Sequence, residues 1–423
     1  MTEFRFRGAV APLRRAEGAL ARRADAKART VAAPALPRTV DGLVATLRPE
    51  TPLHCLRPAQ LAETARAFVA AFPGTTLYAV KCNPEPAVLR ALWRGGVRHF
   101  DCASAAEVRL VRSLFPTAEI HFMHPIKARS AIREAFADAG VRDFVIDSAE
   151  ELAKVLAETA GSPELGLFVR LALPKGGAVY DLSGKFGAAP AEAVALLRAA
   201  RPHGARLGLC FHVGSQCLDP GAYARAIALA AQVIRESGVA VEVMDIGGGF
   251  PAAYPDVTPP PLGAFMDAIR SAFAEAALSD VALWAEPGRA LVAGGGSIVV
   301  QVQHRRGDVL FVNDGIYGGL SDAGPVVGFR FPARLVRPSG DSAAPLVPFG
   351  FYGPTCDSAD RMDGPFLLPA DIGEGDWIEI GQLGAYAACL RTPFNGFDRA
   401  GMAEVTDRPL LETPGYARLA RAA

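Results

Sequence analysis

An α/β protein is predicted here: a closed (β/α)8 barrel followed by a separate antiparallel β domain. Three observations carry that expectation. Between residues 76 and 286, short apolar runs rich in β-branched and aromatic residues alternate eight times with Ala/Leu-rich amphipathic stretches. Such alternation implies parallel strands joined by crossover helices. Its length suits a barrel, for which about 250 residues are usual. After Arg289 the texture changes to strand-like runs punctuated by Gly and Pro, with little helix between them, a β-rich signature. An open doubly wound sheet is the structural alternative for the first part.

The elements follow in order. The first thirty residues carry Arg5, Arg7, Arg14, Arg15, Arg22, Arg23, Lys27 and Arg29, with Glu3, Glu17 and Asp25 among them. The acids weigh against a transit peptide and leave a solvated amphipathic helix over 18–27. The eight barrel strands are expected at 76–81, 99–103, 119–124, 143–147, 165–173, 206–213, 241–246 and 282–286. Helical patterns stand at 58–71, 85–94, 105–114, 128–139, 149–159, 191–200, 222–236 and 262–275. Ser104-x-x-Glu107 and Ser148-x-x-Glu151 have capping-box spacing. The β domain is expected to contain strands at 297–304, 307–313, 328–336, 346–352, 376–380 and 385–390. The division expected is a barrel domain of residues 50–295 and a β domain of residues 1–49 with 296–423.

Composition narrows the class. The chain has 423 residues, half of them hydrophobic, and Lys+Arg 44 balance Asp+Glu 44. A neutral balance gives no footprint for nucleic acid. No apolar run reaches the length of a membrane span. The seven cysteines form no C-x-x-C pair, so no metal site or disulfide framework is indicated. Free thiols fit a reducing compartment, and a cytoplasmic location is expected.

Chemistry gathers at the C-terminal ends of the strands, the working face of such barrels. Lys81 ends strand one, Asp101 lies on strand two and Arg170 on strand five. Strand six runs into Phe211-His212-Val213-Gly214-Ser215. Strand seven ends in Asp245-Ile246-Gly247-Gly248-Gly249-Phe250-Pro251, and strand eight in Glu286-Pro287-Gly288-Arg289. Singly, each has an ordinary structural explanation. Lys81 could be a salt-bridged strand end, Asp101 a helix cap, Arg170 half of an ion pair and His212 a satisfied interior histidine. The three glycines could be a turn, and Glu286 could pair with Arg289. Together they suggest more. Three glycines expose successive N–H groups that suit a phosphate, and barrels frequently build a phosphate site from the loops after strands seven and eight. With an amine and an acid on the same rim, these residues point to pyridoxal phosphate. Lys81 would hold its aldehyde, Glu286 its ring nitrogen, and His212 would offer a stacking face.

These motifs, with Tyr78-Ala79-Val80-Lys81-Cys82-Asn83 at the first strand, resemble those of the fold-type III pyridoxal-phosphate decarboxylases. That group has alanine-racemase-type barrels and includes ornithine, diaminopimelate and arginine decarboxylases. The resemblance spans roughly residues 50–400. Gly353-Pro354-Thr355-Cys356-Asp357-Ser358-Ala359-Asp360 resembles the cysteine–aspartate motif of the ornithine type, as do Gly384-Ala385-Tyr386 and Phe394-Asn395-Gly396-Phe397.

The resemblance implies roles. Lys81 would form the internal aldimine. Ser215, Gly248, Gly249, Arg289 and Tyr386 would bind the phosphate, with Asp101 and Arg170 supporting the ring side. Cys356 would return a proton to the substrate carbon, and Asp357 would hold the distal amine, with Phe397 beside the substrate. Cys356 and Asp357 would serve the partner's site in a homodimer, with Lys185 and Asp360 as an intersubunit ion pair. The chain departs from the family pattern after Asn313-Asp314-Gly315-Ile316-Tyr317-Gly318. Gly319-Leu320-Ser321-Asp322 is shorter than the eukaryotic form, which carries a further substrate-binding aspartate, and Asp322 is the candidate replacement. The expected reaction is α-decarboxylation of L-ornithine to putrescine. Lysine or dual specificity is the first alternative, followed by a racemase and a non-catalytic regulator.

Overall fold

The computed structural model describes residues 38–174, 178–180 and 184–414. The helix expected over 18–27 lies outside them. Eight parallel strands close into a barrel: Thr75–Ala79, His99–Cys102, Glu119–Phe122, Asp143–Ile146, Gly166–Arg170, Arg206–Cys210, Val243–Asp245 and Ala282–Ala285. They are called barrel strands one to eight below, and each falls within an expected stretch or starts one residue before it. Helices Pro58–Ala71, Ala105–Leu114 and Leu262–Glu275 have the expected bounds. Pro58, Pro86, Pro190 and Pro220 open the helices they begin, where a missing N–H costs nothing and a fixed φ suits the first turn.

The two capping boxes form only in part. Ser104 Oγ accepts from the Glu107 N–H, and Ser148 Oγ from the Glu151 N–H, each at 3.2 Å. The carboxylates go elsewhere. Glu107 accepts from the Ala103 N–H at 2.6 Å, and Glu151 pairs with Lys127 at 2.9 Å. Lys127 has no exposed side chain, and a buried ammonium needs a counter-charge more than a cap needs a second bond.

Inside the barrel, Leu77, Met123, Val145, Phe168, Cys210, Val243 and Trp284 make one apolar layer. Each large member contributes about 1.5–3 kcal/mol by leaving water. Below that layer lies a polar floor. The His121 ring contacts His99 at 3.0 Å and Asp143 at 2.7 Å, and Arg206 Nη2 donates to both oxygens of Asp143. Above it, the strand ends carry the residues of the candidate site.

The second sheet runs Ala333–Val336, Trp377–Ile380, Gly296–Arg306, Val309–Val312, Leu346–Tyr352, Arg361–Pro369 in hydrogen-bonded order. Most pairs are antiparallel, but Val309–Val312 runs parallel to Leu346–Tyr352. The rings of Phe351 and Phe366 stack in its core at 3.9 Å. Leu53–Leu56 and Gly401–Glu404 complete this sheet, parallel to one another, and Leu53–Leu56 also pairs with Gly296–Arg306. Thus Leu53–Leu56, inside the stretch expected to form the barrel domain, is a strand of the other sheet. Helix Val40–Leu47 packs Val40, Leu43 and Val44 beside Val299, Val336 and Trp377.

One expected strand, 385–390, is not formed. Tyr386 takes φ 52, and a 3-10 turn, Ala388–Leu390, follows. Instead of joining a ladder, the Tyr386 N–H donates to the Cys82 carbonyl at 2.9 Å, and its own carbonyl accepts from Ser321 Oγ at 3.1 Å. These bonds carry the segment across to the barrel mouth.

Candidate active site

A cavity of about 520 Å³ opens at the C-terminal ends of the barrel strands. Its wall includes Lys81, Arg170, His212, Ser215, Gly248, Gly249, Glu286, Arg289 and Tyr386. Nine of the residues singled out in the sequence therefore meet around one space, though they come from far-separated stretches of chain.

Lys81 leaves barrel strand one on a 3-10 turn, Val80–Cys82. Asn83 ends that turn, donating through Nδ2 to the Gly384 carbonyl at 2.8 Å and accepting from the Glu85 N–H at 3.1 Å. The Lys81 Nζ stands 2.8 Å from Asp101 Oδ2, with the Lys81 side chain 44% exposed and Asp101 1%. Enclosure works against the Lys81 charge, but Asp101 and then Glu286 outweigh it and raise the pKa. The amine is therefore held as an ammonium, and it becomes a nucleophile only after losing a proton.

Glu286 follows barrel strand eight. Burial, then the neighbouring Asp245, raises its pKa well above the usual carboxylate range. Asp245 is itself pushed up to about 6, first by burial. Two buried carboxyls side by side resist double ionisation. His212 is kept neutral by burial, then by the charge of Arg170. The Gly214 N–H donates to its Nδ1 at 3.0 Å, which places the ring proton on Nε2.

The glycines after barrel strand seven are required by space. A Cβ on Gly248 would come within 2.6 Å of the Glu286 carbonyl, and one on Gly249, where φ is +98, within 2.4 Å of the Gly214 carbonyl. Beside them Arg289 is 8% exposed. Its Nη1 donates to the Tyr254 hydroxyl at 2.9 Å and to Asp322 Oδ2 at 2.8 Å. Arg289 therefore does not pair with Glu286. The Tyr386 ring lies 5.0 Å from its guanidinium. Tyr386 is in the left-handed region, and backbone strain of this kind collects at functional sites.

Asp322 is the departure. It was expected beside the substrate, but it is absent from the cavity wall and committed to Arg289. The shorter loop tucks it into a 3-10 turn, Ser321–Ala323.

Cys356, Asp357 and Phe397 do not reach the Lys81 cavity within this chain. They line a second hollow of about 590 Å³. Cys356 is exposed, and its Sγ lies 3.2 Å from Asn395 Oδ1. Asp357 is held below the usual carboxylate range by the Ala359 N–H and then by the Tyr317 hydroxyl, both donating to it. Asp360, expected in an intersubunit pair with Lys185, is only 3% exposed. Its oxygens accept from the N–H groups of Ile316 and Thr355 and from the Thr355 hydroxyl. That carboxylate ties its own turn to the loop that carries Ile316. Lys185 lines the Lys81 cavity with Phe186, whose ring packs against His124 at 5.2 Å.

Sequence reasoning passed over Asp245, Tyr254, Tyr317 and His124. Asp245 was quoted within the glycine motif and could have been weighed as an acid beside Glu286. Tyr317 stands in the Asn313–Gly318 motif, whereas no local signal marks Tyr254.

Four buried atoms at the rim have no hydrogen-bond partner among the described residues: Asp101 Oδ1, Asp245 Oδ2, Glu286 Oε1 and Arg289 Nε. Buried polar atoms are nearly always satisfied, so these mark places for a ligand. A flat ring with a basic nitrogen and a phosphate would meet Glu286 and Arg289, and the side-chain-free path along Gly248 and Gly249 admits the phosphate. Pyridoxal phosphate fits that set.

Comparison with known proteins agrees. Residues 58–293 match the family described as "Pyridoxal-dependent decarboxylase, pyridoxal binding domain". The lysine/ornithine decarboxylase of Selenomonas ruminantium is 33% identical over 78% of this chain and 84% of its own. The ornithine decarboxylase of Panagrellus redivivus is 33% identical over 76% and 78%. The crystal structure of a lysine/ornithine decarboxylase from Vibrio vulnificus complexed with putrescine superposes with a TM-score of 0.72, at 34% identity, over 84% of this chain and 94% of that one. From the barrel, the β domain, the cavity and these matches, the chain belongs to the fold-type III pyridoxal-phosphate-dependent decarboxylases and is a carboxy-lyase.

Proposed function

We propose that the chain removes the α-carboxylate of L-ornithine, giving putrescine and carbon dioxide, as a cytoplasmic step of polyamine formation. The observation that carries this is the convergence on one cavity of Lys81, Glu286, His212 and a glycine–arginine cradle of Gly248, Gly249 and Arg289. Seven free thiols suit a reducing compartment. Among the described residues no helix is long and apolar enough to cross a membrane.

Lys81 would hold the cofactor covalently, Glu286 would meet its ring nitrogen and His212 would stack on its face. Ser215, Gly248, Gly249, Arg289 and Tyr386 would bind its phosphate. When bound, pyridoxal phosphate supplies the electron sink for the pair left by the departing carboxylate. The chain's own groups do the rest. Asp101 Oδ2, at 2.8 Å, is the nearest acceptor for the Lys81 proton. Glu286 would share a proton with the ring nitrogen, its own pKa raised by burial and then by Asp245. Cys356 returns a proton to the substrate's α-carbon, and Asp357 holds the distal ammonium. Cys356 and Asp357 lie on an exposed face outside the Lys81 cavity, which suits donation to a second copy in a homodimer. In this reading the barrel, within residues 50–295, holds the cofactor. The β domain of residues 296–423 with the N-terminal segment completes the site.

Lysine is the second reading. Asp322, the residue expected to sense substrate length, is committed to Arg289. One methylene in an apolar pocket is worth only ~1–3 kcal/mol. Carbon dioxide release from ornithine and lysine in competition tests the choice. A higher kcat/KM for lysine would sink the ornithine assignment.

A further inference from the structure

Resting on the cofactor assignment above, we infer that Asp322 is a positioning residue, which aims the Arg289 guanidinium at the phosphate and takes no part in gripping the substrate's distal amine. Arg289 sits on the cavity wall and Asp322 behind it. Their side chains are 8% and 11% exposed, and the Nη1 to Oδ2 distance is 2.8 Å. Tyr254 takes a second bond from the same Nη1 at 2.9 Å. The rings of Phe329 and Tyr386 each lie 5.0 Å from the guanidinium carbon. With Nη1 committed twice and rings nearby, the guanidinium plane is fixed, while Nε keeps a buried, unpartnered proton.

Asp322 is held as firmly as the residue it holds. The Ala323 N–H donates to the Leu320 carbonyl at 3.0 Å, and the Phe329 N–H donates to Asp322's own carbonyl at 2.9 Å. Ser321 Oγ ties the same turn to Tyr386 at 3.1 Å. The short loop thus links two cavity-wall residues, Arg289 and Tyr386, through adjacent side chains. The oxygen that holds Arg289, Oδ2, is thereby withheld from a substrate ammonium, and the aspartate as a whole stands off the cavity wall.

An aspartate's charge opposes a phosphate, so its service here is geometric. That separates the variants. Asp322→Ala removes the acceptor and should raise the Kd for pyridoxal 5′-phosphate about tenfold or more. The Kd for pyridoxal, which lacks the phosphate, should move less than about twofold. Asp322→Asn keeps an oxygen that accepts from Arg289 and should retain most of the affinity. At saturating cofactor, KM for ornithine and lysine should stay within about twofold of the unaltered enzyme. If Asp322→Ala does not fold, Tyr254→Phe reads the same phosphate-selective loss at about threefold. The inference is overturned if Asp322→Ala leaves the cofactor Kd alone and raises KM for the diamino acids, or if pyridoxal weakens in parallel. Equal affinity of the unaltered chain for pyridoxal and its phosphate would overturn the cofactor assignment, and this inference with it.

Discussion

At the floor of the barrel, His99, His121, Asp143 and Arg206 form one hydrogen-bonded chain. At its rim stand Lys81, Asp101, Asp245, Glu286 and Arg289. An apolar layer centred on Phe168 and Trp284 separates the two. Both clusters look functional in composition. On the floor, His121 and Asp143 are enclosed and each finds a neighbour in the chain, and one buried atom, Arg206 Nε, has no partner among the described residues. At the rim, Asp101, Asp245, Glu286 and Arg289 each keep a buried atom without one. A polar cluster that nearly satisfies itself does not offer much to a ligand. One left incomplete beside a cavity does.

The contrast breaks most sharply at Lys81. Lys81→Ala should lose covalent cofactor attachment, seen as a missing absorbance band, and lower turnover by about 10³-fold or more. Normal turnover with attached cofactor would end the assignment. Glu286→Ala should lower kcat by about 10²-fold with the protein still folded. Unchanged kcat would place Glu286 with the floor residues as structure.

Asp101→Asn sharpens the rim's electrostatics. Removing the chief counter-charge should lower the Lys81 pKa, so reaction with pyridoxal phosphate should begin at lower pH. An unshifted pH profile would show that Asp101 does not govern the amine. On the floor the expected effect is on stability alone. Burial, then His121, depresses the His99 pKa to about 4. The unfolded histidine takes up a proton near pH 6.5, and the folded one does not until about pH 4. His99 therefore favours folding above pH 6.5, and that contribution is lost as pH falls between those values. His54, depressed to about 4 by burial and then by Arg391, has the same sign. His99→Gln should flatten the fall of Tm over that window and leave kcat at neutral pH within about twofold. A changed kcat with an unchanged Tm slope would move the floor into the catalytic machinery. Smallest of all, Ser104→Ala should cost about 1 kcal/mol in denaturant unfolding through its lost cap.

Much of this was legible in the residues. The eight barrel strands show because parallel strands are buried on both faces, and their apolar runs stand out between Ala-rich helices. The cavity wall shows because strand ends in a barrel must converge. Leu53–Leu56 did not show, because four residues buried throughout carry no alternation to tell one sheet from another. Residues 385–390 misled for the opposite reason. Their apolar content is real, but a tertiary bond from the Tyr386 N–H to Cys82 overrides strand propensity. Asp322 was read by analogy of position, whereas its partner is set by a loop length whose three-dimensional effect no spacing displays.

Because Leu53–Leu56 lies between Gly296–Arg306 and Gly401–Glu404, the second sheet is begun before the barrel and finished after it. The barrel is an insertion within another domain's strand order. Synthesis therefore delivers every barrel strand while Leu53–Leu56 still lacks both neighbours, and its last neighbour arrives only with residue 404. Joining ends that far apart costs little more loop entropy than joining nearer ones, but it comes late. Tyr386, on the cavity wall, arrives in the same late stretch. A truncation before residue 386 would leave a barrel with its lysine in place and its mouth unfinished.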